Sequence, residues 1–421
     1  MNSREVKALE VTNDARILFK NGEWLVPSQS SPSTRYVVNP SLADPSCECD
    51  DWQLRRLPCK HIAAVRLLLD RQIKGEPPPV VPPPPPRPTY GQRWSEYNAA
   101  QVNEKDHFQT LLADLCANIQ PLPLKPGDKG GRPRTPIADA VFMAVFKVYS
   151  TVSARRFMSD LREAQERGHV QQTLSFNVAC KFLQNPDVTP ILHELIRRSA
   201  MPLRSVEVDF AVDSTGFSTS KFTKWYNEKY GTVQEKCEWV KAHCIVGTKT
   251  NIITAAYIGE RYAADCPQLP ELLKTTAANF TVKEVSGDKA YLSGENLELV
   301  DALGGTAFIP FKVNSVLGNT PLWDRMFHYF QMRREEFLAH YHKRSNVEST
   351  FSAVKRKFGD AVRSKTPTAM TNEVLAKLVC FNLTCVIHEW YELGIDPQDW
   401  GMPKQKTEES EPAILPMIRP G

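Results

Sequence analysis

The sequence predicts an α/β fold: a mixed sheet of about five strands flanked by helices, preceded by a helical domain and a small N-terminal metal-binding module of ββα type. Three observations carry this expectation. Period-two apolar alternation recurs from Val206 onward, with helical segments between its later repeats. Helical periodicity dominates Trp94–Arg204. Residues 47–61 read CECDDWQLRRLPCKH, which places three of the ten cysteines beside a histidine.

Composition bounds the rest. At roughly 100–200 residues per domain, 421 residues imply two or three domains. A 24% charged and 42% apolar content excludes wholesale disorder and a fibrous repeat. The opening MNSREVKALEVTNDAR is charged throughout and does not read as a signal peptide. The apolar stretches near Ala140–Phe146 and Leu378–Ile387 fall short of the ~18 residues a membrane span needs, so no membrane partner is expected and a cytosolic protein is the default. A net charge of +4 permits nucleic acid without requiring it.

In the N-terminal module, Ala15–Leu18 and Trp24–Val26 flank Asn21-Gly22 and read as a hairpin, with Arg35–Val38 as a third strand. A helix over Lys60–Arg71 carries Ile62, Val65, Leu68 and Leu69 on one face. Between these elements lie Cys47, Cys49, Cys59 and His61. Two close pairs of soft ligands suit tetrahedral zinc, and four protein ligands make the site structural rather than catalytic. Free cytosolic thiols and a surface histidine are the alternative. The other cysteines, Cys116, Cys180, Cys237, Cys244, Cys266, Cys380 and Cys385, lack ligand spacing and read as small buried apolar residues.

Nine of the 32 prolines fall in Pro77–Pro88 (PPPVVPPPPPRP). Proline lacks the backbone donor and fixes φ, so this run reads as a polyproline II spacer of roughly 35–40 Å, or as a docking site for a proline-binding partner. The expected division is 1–72 for the zinc module, 73–93 for the linker, 94–204 for a helical, possibly DNA-binding region, 205–393 for the α/β domain and 394–421 for a tail. In the helical region, Phe108–Ile119, Pro136–Ser150 and Ala154–Gln165 show helical periodicity. Ser175–Leu183 and a helix opened by Thr189-Pro190 are compatible with a helix-turn-helix or with plain packing.

In the α/β domain, Val206–Val212, His243–Val246, Ile252–Ile258, Val282–Val285 and Ala307–Phe311 read as strands. Gln268–Ala278 and Gly294–Leu303, the latter capped by Ser293, read as helices between them. A long helix over Glu335–Lys357 and another over Thr371–Trp390 close the domain. Asp213 ends the first strand in EVDFAVDSTGFS, and Asp288 follows another in EVSGDKAY, with Gly287 expected to let the backbone turn. Asp209 lies about 13 Å along the strand from Asp213, too far to share a metal with it. A turn or cap role is the bland alternative for either aspartate.

A third element changes that balance. In YHKRSNVESTFSAVKRK, a 100° step puts Tyr341, Arg344, Glu348 and Lys355 in one stripe about 60° wide and roughly 21 Å long. Such a face suits Glu348 binding metal while Arg344 and Lys355 bind phosphate oxygens; a solvated helix with an Arg344–Glu348 pair is the alternative. Gln331–Lys365 holds nine Lys/Arg against four Asp/Glu. The stretch KFTKWYNEKYG interleaves Lys221, Lys224 and Lys229 with Trp225, Tyr226 and Tyr230, as a strand-tracking surface would. Arg132, Arg134, His342 and Lys343 are further candidates for DNA contact, and His243 reads as a core histidine.

Two resemblances follow from these residues. Cys-x-Cys-x₉-Cys-x-His resembles the SWIM zinc finger, which implies zinc and a DNA- or protein-binding module. Asp213, Asp288 and Glu348, with Tyr341-x₂-Arg344-x₃-Glu348-x₆-Lys355 and the phrases AVDSTGF, GDKAY, IPFK and KRSNVESTFSAVK, resemble the DDE transposases of bacterial insertion sequences. That resemblance implies a ribonuclease H-like sheet with Asp213, Asp288 and Glu348 as catalytic ligands of two Mg²⁺ (or Mn²⁺). It further implies transposon-end and target DNA as partners, in the bacterial or archaeal nucleoid, and a homodimer or larger synaptic assembly. Tyr341, Arg344, Lys355, Lys343 and Trp225 are its expected DNA contacts. A nuclease that cuts without rejoining, and a transposase-derived DNA-binding regulator, are the competing readings.

Overall fold

A computed structural model describes residues 8–9, 11–12, 17–28, 34–75, 93–120, 135–172, 174–219 and 239–401. The proline run, Arg132, Arg134, Cys237 and the whole KFTKWYNEKYG stretch including Trp225 lie outside the described residues, as does the chain after 401. The chain divides into two units, Met1–Gly91 and Gln92–Gly421.

The first unit is an antiparallel sheet of β1 (Leu18–Lys20), β2 (Glu23–Pro27), β3 (Arg35–Asn39) and β4 (Ser46–Cys47), paired in chain order. The β1–β2 turn uses Asn21 and Gly22 at φ 55° and 84°, the double left-handed conformation that matches strand twist in a two-residue hairpin. Helix α1 (Asp50–Arg55) and helix α2 (Lys60–Lys74) follow. Ile62, Ala64 and Val65 of α2 are buried with Val26, Val38 and Trp52. The expected ββα plan therefore gains a fourth strand and a short helix between the two ligand pairs. With two and six residues, β4 and α1 are too short to leave a readable period.

The second unit begins with α3 (Trp94–Val102), α4 (Glu104–Ala117), α5 (Ile137–Tyr149), α6 (Met158–Glu166), α7 (Phe176–Leu183) and α8 (Val188–Ala200). The α/β part runs β5 (Asp209–Ser218), β6 (Trp239–Gly247), β7 (Ile253–Gly259), α9 (Leu269–Ala277), β8 (Glu284–Gly287), α10 (Gly294–Ala302) and β9 (Thr306–Phe308). It closes with α11 (Pro321–Met332), α12 (Arg334–Tyr341), α13 (Ser345–Phe358) and α14 (Pro367–Leu393). The sheet order is β7-β6-β5-β8-β9. The β7–β6 and β6–β5 pairings are antiparallel, while β5–β8 and β8–β9 are parallel. This is the mixed, helix-flanked sheet expected, with all five strands present. Ser293 caps α10 as expected, accepting from Asn296 N–H.

Three expectations are corrected. Asp213 does not end its strand, because β5 runs on to Ser218 in antiparallel pairing with β6. The long helix over Glu335–Lys357 is two helices, α12 and α13, joined by a 3₁₀ turn at His342–Arg344. The stretch Leu378–Ile387 is the middle of the 27-residue α14, which by length and composition alone (mean hydropathy 1.3) could cross a membrane. Most of that helix is buried, and it packs on α8, α5, α3, α4 and β7.

Helix α14 ties the helical region to the sheet. Asn382 accepts from Ile253 N–H at 2.9 Å and donates to Ile253 O at 2.7 Å and to Ile196 O at 3.2 Å, so one amide joins α14, the edge strand β7 and α8. A buried amide with all its partners met fixes register as well as packing. The helical region and the sheet consequently share one core, and the boundary expected at 204/205 runs through a single packed unit. Helices α7 and α8 belong to that packing; Leu192, Leu195 and Ile196 of α8 are buried in it.

Candidate active site and metal centre

Register builds the carboxylate site. Strands β5 and β8 run parallel with Val212 beside Gly287, so the next residue of each strand, Asp213 and Asp288, stand side by side. Asp213 lies on the central strand, opposite Cys244 of β6. Asp288 follows β8 and caps the turn Lys289–Tyr291, accepting from Lys289 N–H at 2.6 Å. Glu348 comes from the first turn of α13 and is exposed. Arg344 joins the groups, donating to Asp213 Oδ2 and to Glu348 Oε1 at 2.5 Å each.

Burial pushes the Asp213 carboxyl above its usual range, and the Asp288 and Glu348 charges push it the same way; the Ser214 N–H and Arg344 oppose them. Asp213 therefore feels both other carboxylates, and the Arg344 guanidinium bridges Asp213 and Glu348. Hard oxygen donors are of the type that suits Mg²⁺ or Mn²⁺, although the ligand atoms of these three do not all lie within 4.8 Å of one another in this structure.

The rest of the signature divides by role. Tyr341 ends α12, with the Arg344 guanidinium 5.9 Å from its ring centroid. Lys355, two turns beyond Glu348, sits 5.5 Å from the centroid of the buried Phe217 ring, and burial pulls its ammonium below the usual lysine range. Lys343 donates to Asp209 Oδ2 at 2.7 Å and to Glu284 Oε2 at 2.8 Å. Asp209 and Glu284 are direct partners across the parallel β5–β8 pairing, where like charges repel. Lys343 bridges that pair and offsets part of its charge, and His340 Nδ1 also lies 3.0 Å from Glu284. The basic run is similarly engaged elsewhere: Lys357 pairs with Glu104 and Arg333 with Glu336.

Gly287 is needed for a different reason from the one expected. It lies within β8 rather than in a left-handed turn, and a Cβ there would meet Val212 Cγ1 at 2.8 Å. The glycine lets β8 approach β5 immediately before the two aspartates. Gly287→Ala is expected to destabilise the fold by about 1–3 kcal/mol through overpacking. By displacing Asp288, it should also lower DNA cleavage about tenfold. Thermal melting and a cleavage assay check both, and an unchanged melting temperature would remove the close-packing argument.

A buried polar group behind Asp213 has no readable motif. His243, fully buried on β6 opposite Ser214, has its Nδ1 3.3 Å from Tyr291 Oη and 3.3 Å from Asp265 Oδ1. Burial lowers its pKa to about 4, so it is neutral at pH 7, its hydrogen bond is to Tyr291, and the approach to Asp265 is not an ion pair. Lys241 pairs with Asp265 at 2.9 Å. The one signal in the sequence is Lys241 and His243 two apart on an otherwise apolar strand; Asp265 sits in a loop without periodicity.

The second centre is in the N-terminal unit. Cys47, Cys49, Cys59 and His61 are all buried and offer ligand atoms within 4.8 Å of one another, the one such group among the described residues. His61 Nδ1 is 3.8 Å from Cys47 Sγ and 3.9 Å from Cys59 Sγ. Cys47 sits on β4, while Cys49 and Cys59 precede α1 and α2, so the centre ties the sheet to both helices. The thiols do not ionise together: the Cys47 hydrogen bond draws Cys59 down to about 4 and pushes Cys47 up, and burial pushes Cys49 up. A central dication would allow all three to be thiolates, and the S₃N set suits Zn²⁺. Of the other cysteines, Cys116, Cys244 and Cys380 are buried as expected, whereas Cys180 is exposed.

Asp213 lies on the central strand of the mixed sheet, Asp288 follows the neighbouring parallel strand and Glu348 opens a following helix, in a unit preceded by a strand-and-helix module with a Cys/His cluster. Residues 204–383 match the family described as Transposase DDE domain, and residues 34–68 match the SWIM zinc finger. The chain carries a DDE transposase domain behind an N-terminal SWIM zinc finger. No curated protein and no solved structure matches the chain.

Proposed function

We propose that the protein is a DNA transposase that nicks DNA at the ends of an insertion sequence and joins the freed 3′ ends to target DNA. Supporting this reading, Arg344 bridges Asp213 and Glu348, and Asp288 follows the strand paired with that of Asp213 and acts on its charge. Asp213, Asp288 and Glu348 would hold divalent cations, Mg²⁺ or Mn²⁺. When bound, such ions activate an attacking oxygen and stabilise a leaving one.

In the first step a water oxygen attacks the phosphorus at the element end in line, and the 3′ oxygen leaves with a proton as a free hydroxyl. In the second step that hydroxyl attacks a target phosphodiester. One P–O bond forms as another breaks, so no external energy source is required. Arg344, released from Asp213 and Glu348 when cations take over their charge, is placed to hold a phosphate oxygen, and its planar fork suits that contact. Tyr341 orients the Arg344 plane, and Lys355 supplies a cation along the same helix. Trp225 remains a proposed contact to an unpaired base. In this reading Lys343 stabilises the strand pair beneath the site, and a homodimer or larger assembly holds the two ends together.

The test incubates the full chain with a labelled element end, a plasmid target and Mg²⁺ or Mn²⁺. Nicking followed by joining to the plasmid is expected. Nicking without joining would instead indicate a nuclease, and binding without either would indicate a regulator.

A further inference from the structure

A cavity of about 400 Å³ lies where α5, α7, the end of α13, the 363–365 loop and α14 meet. Four cations line it, Lys147, Arg363, Lys365 and Lys377, against one carboxylate, Glu373. That carboxylate is already occupied, accepting from Arg363 N–H at 2.9 Å and from Ser364 N–H at 2.8 Å. Lys377 donates to the neutral acceptors Gly359 O and Ala361 O at 2.9 and 2.8 Å, and burial pulls its pKa down to about 8, which the Glu373 and Asp360 charges only partly oppose. Burial works against the Lys147 ammonium, the Arg363 charge adds to that, and Glu373 only partly offsets them. Gathering like charges around a sheltered cavity is unfavourable unless an anion completes it.

The cavity also adjoins the catalytic face. Lys377 and Lys355 lie 5.3 and 5.5 Å from the centroid of the same Phe217 ring. Phe217 is four residues beyond Asp213 on β5, about 13 Å along the strand. A strand of DNA leaving the carboxylates along the signature helix would reach the cavity mouth, and the volume suffices for a phosphate group and not for a duplex.

We propose that this cavity is a phosphate site, with Lys147 among its cations, that takes one backbone phosphate of the DNA strand passing the catalytic carboxylates. This rests on the reading of DNA as substrate. The phosphate could equally be a free inorganic ion, so the test has two arms.

Both arms use the full chain carrying Glu348→Gln, which keeps DNA intact, with and without Lys147→Gln. Binding of a fluorescent duplex is followed over a salt series, and melting temperature is measured with and without millimolar inorganic phosphate. Lys147→Gln is expected to weaken duplex binding about tenfold and to reduce the slope of log K against log salt by about 0.9, one phosphate contact. The unliganded variant should melt higher than its parent, because an uncompensated cation has gone. A lower melting temperature with an unchanged slope would make Lys147 merely structural and overturn the proposal. An unchanged slope with phosphate stabilising the parent but not Lys147→Gln would assign the cavity to free anions and overturn the DNA occupant. If the parent fails to bind duplex at all, the transposase reading falls and this proposal with it. If the parent binds and Lys147→Gln binds identically, only the pocket falls.

Discussion

Asp213→Asn, Asp288→Asn or Glu348→Gln is expected to reduce end cleavage by about a thousandfold or more while leaving DNA affinity within a few-fold of the parent. The size follows from losing one hard ligand of a cation that stabilises transition-state charge, several kcal/mol at about 1.4 kcal/mol per factor of ten. Retained binding follows from charge: removing a carboxylate beside a phosphate path cannot weaken, and slightly favours, an anionic partner. The three positions should not behave alike in stability. Glu348 is 58% exposed and among the described residues pairs with Arg344, so Glu348→Gln should leave the fold intact. Asp213 is 18% exposed, and Asn there ends its repulsion with Asp288 and Glu348 but weakens the Arg344 contact. Cleavage by gel and affinity by anisotropy, on the same preparations, separate catalysis from binding. Near-parental nicking by any one of the three would remove that residue from the proposed ligand set.

What the sequence revealed of this site, and what it concealed, follows from the range of each interaction. Asp213 and Asp288 were legible because each sits at a local transition from apolar strand to polar residues. Arg344 and Glu348 were legible because an i,i+4 spacing survives wherever the chain is helical. The 3₁₀ turn at His342–Arg344 was not, because three residues at 120° instead of 100° shift a projected face too little to break a pattern. The bridging role of Lys343 depends on Asp209 standing opposite Glu284, a parallel register between segments seventy-five residues apart that no local pattern encodes. The same holds for Gly287, whose requirement is the side chain of Val212 on another strand. Lys343 and Arg344 are consecutive, yet one quiets a carboxylate pair low on β5 and β8 while the other bridges the catalytic set above it. Sequence alone made them equivalent cations; register gives them different carboxylate partners, Asp209 and Glu284 for one, Asp213 and Glu348 for the other.

Replacing Cys47 and Cys49 together by Ser is expected to release one zinc per chain and unfold the N-terminal unit, with the second unit melting as before. The magnitude comes from the small core of that unit. Apart from the ligands, its buried apolar side chains among the described residues are Ala8, Val11, Val26, Val38, Trp52, Ile62, Ala64 and Val65. Burying so few side chains at about 1.5–3 kcal/mol each barely offsets the entropy of ordering the module. A structural zinc contributes on the order of 10 kcal/mol in small domains, enough to decide whether the unit folds. The four ligands also join β4 and α1, two short elements of two and six residues, to the longer α2. Elemental analysis of the full chain measures the zinc, and limited proteolysis reads which unit opens. Cleavage confined to the segment before Gly91 in the double variant is the expected pattern, because the second unit has its own core. An unchanged zinc content would exclude Cys47 and Cys49 as ligands. Zinc lost without new proteolytic sites would mean that the small core suffices alone, and the metal would then serve recognition rather than folding.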